Sequence, residues 1–173
     1  RTAAVVSSAP GLGWNDVHVD VLRLLGIPTG RRTQIDNIAQ CSALAEVARG
    51  HAGGFGTVLY LHAAVGLGGA LIIGNRPVPG RRGFAGEYGH LPFGRADRAC
   101  RCGGHGCWET EVDQLALVRA AGLTTTPQTA AAAAAAVFAN ASRGIPSARR
   151  AVRQTCAALG RGVGALVNAH DPD

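Results

Sequence analysis

Cysteine is concentrated in one short stretch of this 173-residue chain. Three of the five cysteines, Cys100, Cys102 and Cys107, follow the spacing Cys-x-Cys-x4-Cys, with glycine at positions 103, 104 and 106. Thiols this close together are poorly spaced for a disulfide framework, whereas thiolates on a tight glycine-rich loop are typical ligands of zinc. The spacing therefore predicts that these residues hold a metal, with the loop folded around it.

A fourth ligand is needed, because zinc in a structural site takes four nitrogen or sulfur ligands. His90 and His105 are the two candidates in the neighbourhood. His105 lies between glycines and is expected to point outward, whereas His90 precedes the loop and is able to fold back from the other side. Four protein ligands would make the site closed and structural, because a hydrolytic site keeps one position open. The alternative is three free, buried thiols.

Acidic residues flank the cysteine loop on both sides. Glu87 lies three residues before His90, and Glu109 lies two residues after Cys107. Two carboxylates and an imidazole on one metal-held loop suit a pocket for a polyol, because carboxylates accept hydrogen bonds from neighbouring hydroxyls. In the alternative interpretation, Glu109 caps the helix that follows and Glu87 only hydrogen-bonds the loop.

Composition places the chain among folded globular domains, with 47% hydrophobic residues. The longest apolar run, 130–139, is too short to cross a membrane and no leader precedes it, so we expect a soluble, cytoplasmic protein. All 17 basic residues are arginines and they are scattered, so the net charge of +6 is weak support for nucleic-acid binding. The chain starts without methionine and inside an apolar strand, which indicates a piece of a longer protein.

Hydrophobic periodicity predicts a mixed α/β chain. Strands are predicted at 3–8, at 33–35, and at 57–64, 70–73 and 76–78, the last three as an antiparallel meander. Helices are predicted at 16–25, 38–49, 109–121, 129–141 and from 147 onward, the last capped by Ser147. Cys41 and Cys156 fall on helical patterns and are expected to be buried, and three glycines of the last helix, 160, 162 and 164, are expected to pack against a neighbour.

Two motifs together resemble the signature of the ROK family, which comprises repressors and sugar kinases with an actin-like, ribonuclease-H-like ATPase fold. Residues 86–90 read Gly-Glu-Tyr-Gly-His, and residues 100–109 read Cys-Arg-Cys-Gly-Gly-His-Gly-Cys-Trp-Glu. The loop at 10–14, the turn at 36–37 with 43–46, and residues 159–172 are also similar to family segments. The resemblance implies that residues 1–173 form part of that α/β fold, as a sugar-binding effector domain with a zinc-bound loop.

The resemblance also implies roles for individual residues. His90, Cys100, Cys102 and Cys107 would be the ligands of a structural zinc, which selects His90 over His105. Asn37, Glu87, His90 and Glu109 would line the sugar site.

The sequence departs from the family pattern at two places. The family's catalytic aspartate follows the asparagine, but here Ile38 follows Asn37, so no catalytic residue is assigned. Loss of a general base alone costs about 10²- to 10⁴-fold in rate. The phosphate-binding turn Gly-Thr-Gly-x-Gly-Gly-Gly is reduced at 64–70, where Gly66, Gly68 and Gly69 remain as a degenerate cofactor site. This argues against ATP binding, and the three glycines fit a simple hairpin turn.

These features favour the effector domain of a ROK-type transcriptional regulator. It would bind a sugar or sugar derivative, form homo-oligomers as relatives commonly do, and act on DNA through an upstream winged helix-turn-helix outside this chain. The alternative is an ATP-dependent, glucokinase-like sugar kinase in which Asp36 supplies the base. A third possibility is a degenerate scaffold that keeps zinc only for folding.

Overall fold

The computed structural model describes residues 3–9, 14–26 and 36–173, which belong to two units, Arg1–Asn37 and Ile38–Asp173. The first unit contains an antiparallel pair of strands and one turn of helix. Its elements are β1 (Ala3–Ala9), β2 (Trp14–Asp20) and α1 (Val21–Leu24).

The first strand is confirmed, but the helix predicted over 16–25 is wrong in its first half. Backbone pairing runs from Ala3 with Asp20 to Ala9 with Trp14, so β2 occupies those residues. Val17 and Val19 are half-buried and alternate with exposed neighbours, which is the period of a strand. The strand predicted at 33–35 and loop residues 10–13 lie outside the described residues.

The second unit combines a three-stranded meander with five helices. Its elements are α2 (Ile38–Arg49), β3 (Thr57–Ala64), β4 (Gly66–Ile73), β5 (Arg76–Pro77), α3 (Glu109–Val112), α4 (Gln114–Ala120), α5 (Ala130–Ser142) and α6 (Pro146–His170). A single 3-10 turn, Tyr88–His90, lies between β5 and α3. Strand order β3-β4-β5 with antiparallel pairing confirms the predicted meander.

Strand β4 is covered on both faces. Successive side chains point to opposite sides of a strand, so Leu67 lies on one face and Ala70 and Ile72 lie on the other. Ala70 and Ile72 pack with Ala43 of α2 in one buried cluster. Leu67 packs on the other face with Tyr88 and Trp108 in a second buried cluster. The strand therefore lies between α2 and the segment that carries the cysteines.

Helices α4, α5 and α6 form a third buried cluster built largely from small side chains. Leu117 and Val118 of α4, Val137 of α5 and Ala151 of α6 belong to this cluster. The alanine tract predicted as a helix is thus confirmed, and its small side chains allow close packing against α4 and α6.

Several local predictions in this unit are wrong. The helix predicted over 109–121 is broken at Asp113, whose extended backbone ends α3 and whose carboxylate accepts from the Ala116 amide at 2.7 Å to begin α4. Helix α6 begins with Pro146, so Ser147 is not its cap. Cys41 and Cys156 are exposed rather than buried, because both lie on the solvent faces of their helices.

No helix in the described part of the chain is both long and apolar enough to span a membrane.

Candidate functional site

The segment between β5 and α3 is shaped by its own backbone hydrogen bonds. The Gly94 amide donates to Gly106 and the Gly106 amide donates to Arg98, at 2.9 and 2.8 Å. The Cys100 amide donates to the carbonyl of Gly104 at 2.8 Å, which closes the turn between the first two cysteines and the third. Residues 94–106 therefore fold back on themselves and bring Gly94 next to Gly106.

The four residues predicted as metal ligands converge. The Sγ atoms of Cys100, Cys102 and Cys107 and a ring nitrogen of His90 all lie within 4.8 Å of one another. Cys102 Sγ is 3.6 Å from Cys107 Sγ, and Cys100 Sγ is 3.8 Å from His90 Nδ1. A zinc ion with zinc–sulfur distances near 2.3 Å requires tetrahedral edges of about 3.8 Å, so the donor set fits a zinc ion in both chemistry and spacing.

The three thiols differ in how readily they ionise. Burial raises the pKa of the Cys100 and Cys107 thiols. The Gly104 amide, which donates to Cys102 Sγ at 3.4 Å, lowers the pKa of Cys102. A metal ion held by this cluster would deprotonate the thiols that coordinate it.

His105 is exposed, as expected for a residue between two glycines. Of the three thiols of the loop, Cys107 is buried, Cys100 is half-buried and Cys102 is exposed.

Glu87 lies beside the second ring nitrogen of His90. Glu87 Oε2 is 4.0 Å from His90 Nε2, and the two side chains are 35% and 34% exposed. Since His90 Nδ1 is directed toward Cys100, its Nε2 faces this carboxylate. The imidazole therefore lies between the cysteine cluster and Glu87.

Glu109 is buried at the start of α3. Its side chain is 9% exposed, and its Oε1 lies 3.2 Å from Cys100 Sγ and 3.7 Å from Nη2 of Arg101. The N-cap of α3 is Trp108, whose side chain makes no capping hydrogen bond. Glu109 lies in the first turn of α3, where the capping alternative expects an acidic residue, and its carboxylate is also directed toward the cysteine loop.

The three glycines of the degenerate nucleotide turn lie in the β3–β4 hairpin, where Ala64 pairs with Gly66. Gly66 has φ +112°, a conformation that a residue with Cβ rarely adopts. A Cβ on Gly68 would lie 3.1 Å from Ala39 Cβ, and one on Gly69 would overlap the Tyr88 ring. Turn geometry and packing thus account for all three, as the hairpin alternative predicts, and their cofactor role stays a prediction.

The other two predicted positions are at the boundary between the units. Asn37 is the last residue of the first unit, and its role in the sugar site stays a prediction. Ile38 begins α2 and is 69% exposed. Its hydrocarbon side chain is incapable of accepting a proton.

Sequence reasoning missed Arg101. It lines a cavity of about 250 Å³ together with Cys100, Glu109 and Asp113. Its place between two predicted metal-ligand cysteines was the available signal, since a side chain there must lie close to the cluster. A larger groove of about 530 Å³ lies elsewhere, between β3 and the end of α6, and is lined by none of the predicted site residues.

Comparison with known proteins gives relatives of two kinds. A xylose repressor from Caldicellulosiruptor bescii is 35% identical over 120 residues, which are 68% of this chain and 29% of that protein. A glucokinase from Streptomyces coelicolor is 33% identical over 121 residues, which are 69% of this chain and 37% of that protein. The chain therefore spans about a third of the length of these relatives.

Solved structures extend the likeness to the fold. The crystal structure of a ROK family glucokinase from Streptomyces griseus, in complex with glucose and AMPPNP, is 30% identical with a TM-score of 0.80, covering 99% of this chain and 59% of that one. The α/β, actin-like ATPase fold predicted from the sequence is thereby confirmed. The sequence model of the ROK family matches residues 1–173, so the chain belongs to the ROK family.

Proposed function

We propose that residues 1–173 are a zinc-stabilised, sugar-binding effector domain of a ROK-type transcriptional regulator. The observation that carries the proposal is the combination of four convergent metal ligands and two flanking carboxylates with Ile38 at the position of the family's catalytic aspartate. The cluster and its two carboxylates equip the domain to bind a polyol. Ile38 takes the place of the group that would deprotonate a hydroxyl of that polyol.

Zinc would be held by the three cysteine Sγ atoms and by Nδ1 of His90. With all four positions filled by protein, the ion supplies a structural cross-link and no open coordination site. The ion would fix His90 and, through Cys100 and Cys107, the start of α3 that carries Glu109. The side chains of His90 and Glu109 would then be held in place before any ligand arrives.

A ligand hydroxyl fits between Glu87 and His90. The 4.0 Å separation of Glu87 Oε2 and His90 Nε2 is too long for a direct hydrogen bond. A hydroxyl oxygen is able to accept from the Nε2–H of a metal-bound imidazole and to donate to the carboxylate at the same time. Glu109, buried nearby, would accept from a second hydroxyl.

A regulator is favoured over a kinase because the catalytic turn is altered. General-base assistance contributes about 10²- to 10⁴-fold to rate, and Ile38 has no group that provides it. The reduced glycine turn at 64–70 further lacks the threonine hydroxyl that the family's kinases direct toward phosphate. Binding without phosphorylation is the behaviour expected of a sensor.

The sugar-kinase alternative is kept because of specific likenesses. The glucokinase relative and the glucokinase structure with glucose and AMPPNP match the chain at identities close to that of the xylose repressor. A kinase would need another base, and Asp36 is the candidate. A DNA-binding module upstream of this domain and assembly into homo-oligomers belong to the regulator proposal.

The test uses the full-length protein that contains this domain. Isothermal titration against a panel of pentoses, hexoses and amino sugars is expected to give saturable binding, and incubation of the same sugars with ATP and Mg²⁺ is expected to give no phosphorylated product. Phosphorylation at an ordinary enzymatic rate would establish the kinase alternative. Retained zinc with no sugar binding across the panel would favour the scaffold.

A further inference from the structure

Arg101 connects the cysteine loop to two other parts of the second unit. Its Nη2 lies 3.7 Å from Glu109 Oε1 and 3.4 Å from the carbonyl oxygen of Val65. Val65 is the residue between β3 and β4, so the guanidinium lies at the hairpin turn as well as beside the carboxylate. The Arg101 side chain is 40% exposed, whereas that of Glu109 is 9% exposed.

The buried carboxylate of Glu109 needs a nearby cation. Its Oε1 is 3.2 Å from Cys100 Sγ, and its side chain is 9% exposed. A carboxylate buried to this degree is costly unless it is paired or hydrogen-bonded. Within the described ranges, Arg101 is the basic residue whose side chain forms an ion pair with Glu109.

Gly66 leaves room for this arrangement. A Cβ at that position would lie 3.2 Å from Glu109 Oε2 and 3.3 Å from Arg101 Nη2. The carboxylate and the guanidinium therefore meet over the one residue of the turn that presents only backbone. Any larger residue at position 66 would press on both members of the pair.

We propose that Arg101 is a positioning residue for ligand binding: it fixes the orientation of the Glu109 carboxylate and anchors it to the hairpin turn. The inference rests on the proposed sugar-binding function. It concerns a residue between two metal ligands that is not itself a ligand, so its effect is separable from metal binding.

The experiment compares Arg101→Gln, Arg101→Lys and Arg95→Gln in the full-length protein. Arg95 lies in the same segment and pairs with Asp97 at 2.8 Å, both side chains being largely exposed, which makes it the matched control. We expect Arg101→Gln to weaken sugar binding about tenfold, Arg101→Lys to recover part of that loss, and Arg95→Gln to bind as wild type. Zinc content, measured by metal analysis, is expected to stay the same in all three.

A double-mutant cycle with Glu109→Gln separates positioning from direct contact. If Arg101 acts through Glu109, the Arg101→Gln substitution changes affinity much less once Glu109 is already an amide. Additive effects would overturn the inference, because Arg101 would then meet the ligand independently. Loss of zinc in Arg101→Gln would also overturn it, since the role would be structural.

The failure of this inference is distinguishable from failure of the proposed function. Wild-type protein that binds sugar while Arg101→Gln and Arg95→Gln bind it equally well overturns the role of Arg101 alone. Wild-type protein that binds no sugar in the panel overturns both.

Discussion

The indole of Trp108 occupies the space that a side chain on Gly162 would need. A Cβ on Gly162 would overlap the six-membered ring of the indole, and Nε1 of Trp108 donates to the carbonyl of Ala158 at 2.9 Å, one turn earlier on α6. Trp108 is fully buried and directly follows Cys107. The end of the cysteine loop therefore packs on α6 through Trp108, and Gly162 leaves the space that the indole fills.

We expect Gly162→Ala to destabilise the domain, although glycine is normally the poorer residue inside a helix. Replacing an open helix glycine by alanine gains about 0.5–1 kcal/mol, but forcing a methyl group against a buried ring costs about 1–3 kcal/mol. Gly160→Ala is the matched control, because nothing lies within 4 Å of a Cβ there. Chemical denaturation of the two variants is expected to give shifts of opposite sign; equal shifts would contradict the packing role of Gly162.

Removing one thiolate from the cluster should release the metal. We expect about one zinc per wild-type chain and loss of that zinc in Cys102→Ser, because a structural site needs all four ligands. Cys102 is exposed, so the substitution leaves no cavity in the core. Cys156→Ser, at an exposed thiol on α6, is expected to keep the metal.

Hydrogen exchange would report the accompanying change in the loop. Amides at 100–107 are expected to exchange faster in Cys102→Ser than in Cys156→Ser. Wild-type protein purified under reducing conditions and found free of metal would end the zinc proposal.

Asp113 gives the domain a pH dependence of predictable sign. Burial raises the pKa of Asp113, so the folded state binds the proton more tightly than the unfolded state does. The contribution of this carboxyl to the free energy of unfolding is therefore fully present below the ordinary value of about 4 and is lost as the pH rises through the raised pKa. In Asp113→Asn this decline should disappear.

The same position separates capping from charge. Asparagine keeps an oxygen that accepts from the Ala116 amide, so at neutral pH Asp113→Asn is expected to be at least as stable as wild type. Asp113→Ala loses the cap and should cost about 1 kcal/mol. Denaturation curves at several pH values measure both effects. If Asp113→Asn were as destabilising as Asp113→Ala at neutral pH, loss of the carboxylate charge, and not loss of the cap, would account for the lower stability of both variants.

The sequence was a good guide wherever one interaction dominates locally. The three cysteines of the candidate metal cluster carry their own spacing, and the family resemblance selected His90 as their neighbour. The meander and α2 carry clear periodicity, so these elements were predictable without coordinates. The break at Asp113 had a signal too: an aspartate three residues before Ala116 in a helical pattern is a typical cap. It was hidden by the continuous apolar spacing on either side.

Other features depend on contacts that no local pattern contains. Residues 16–20 of β2 were predicted as part of a helix, because the spacing of Val17 and Val21 fits a helix, whereas their pairing with β1 holds them in a strand. Of the three glycines on α6, Gly160 and Gly164 have open space and Gly162 meets Trp108. The role of Arg101 likewise depends on where Val65 and Glu109 lie relative to the loop.

The two carboxylates of the proposed sugar site should differ in importance. Glu109 is 9% exposed and Glu87 is 35% exposed, so a hydrogen bond to Glu109 is shielded from water more completely. Hydrogen bonds to charged groups contribute about 1.5–3 kcal/mol, and the buried partner is expected near the upper end of that range. We therefore expect Glu109→Gln to weaken sugar binding in the full-length protein more than Glu87→Gln does.

Glu46→Gln is the matched control for both substitutions, because Glu46 lies on α2 beside the groove that contains no predicted site residue. Titration calorimetry with the sugar that binds wild type is expected to rank the losses as Glu109, then Glu87, with Glu46 unchanged. Zinc content should stay the same throughout, since none of the three is a metal ligand. A larger loss at Glu87 than at Glu109 would indicate that the sugar meets the exposed rim beside His90 and not the buried carboxylate at the start of α3.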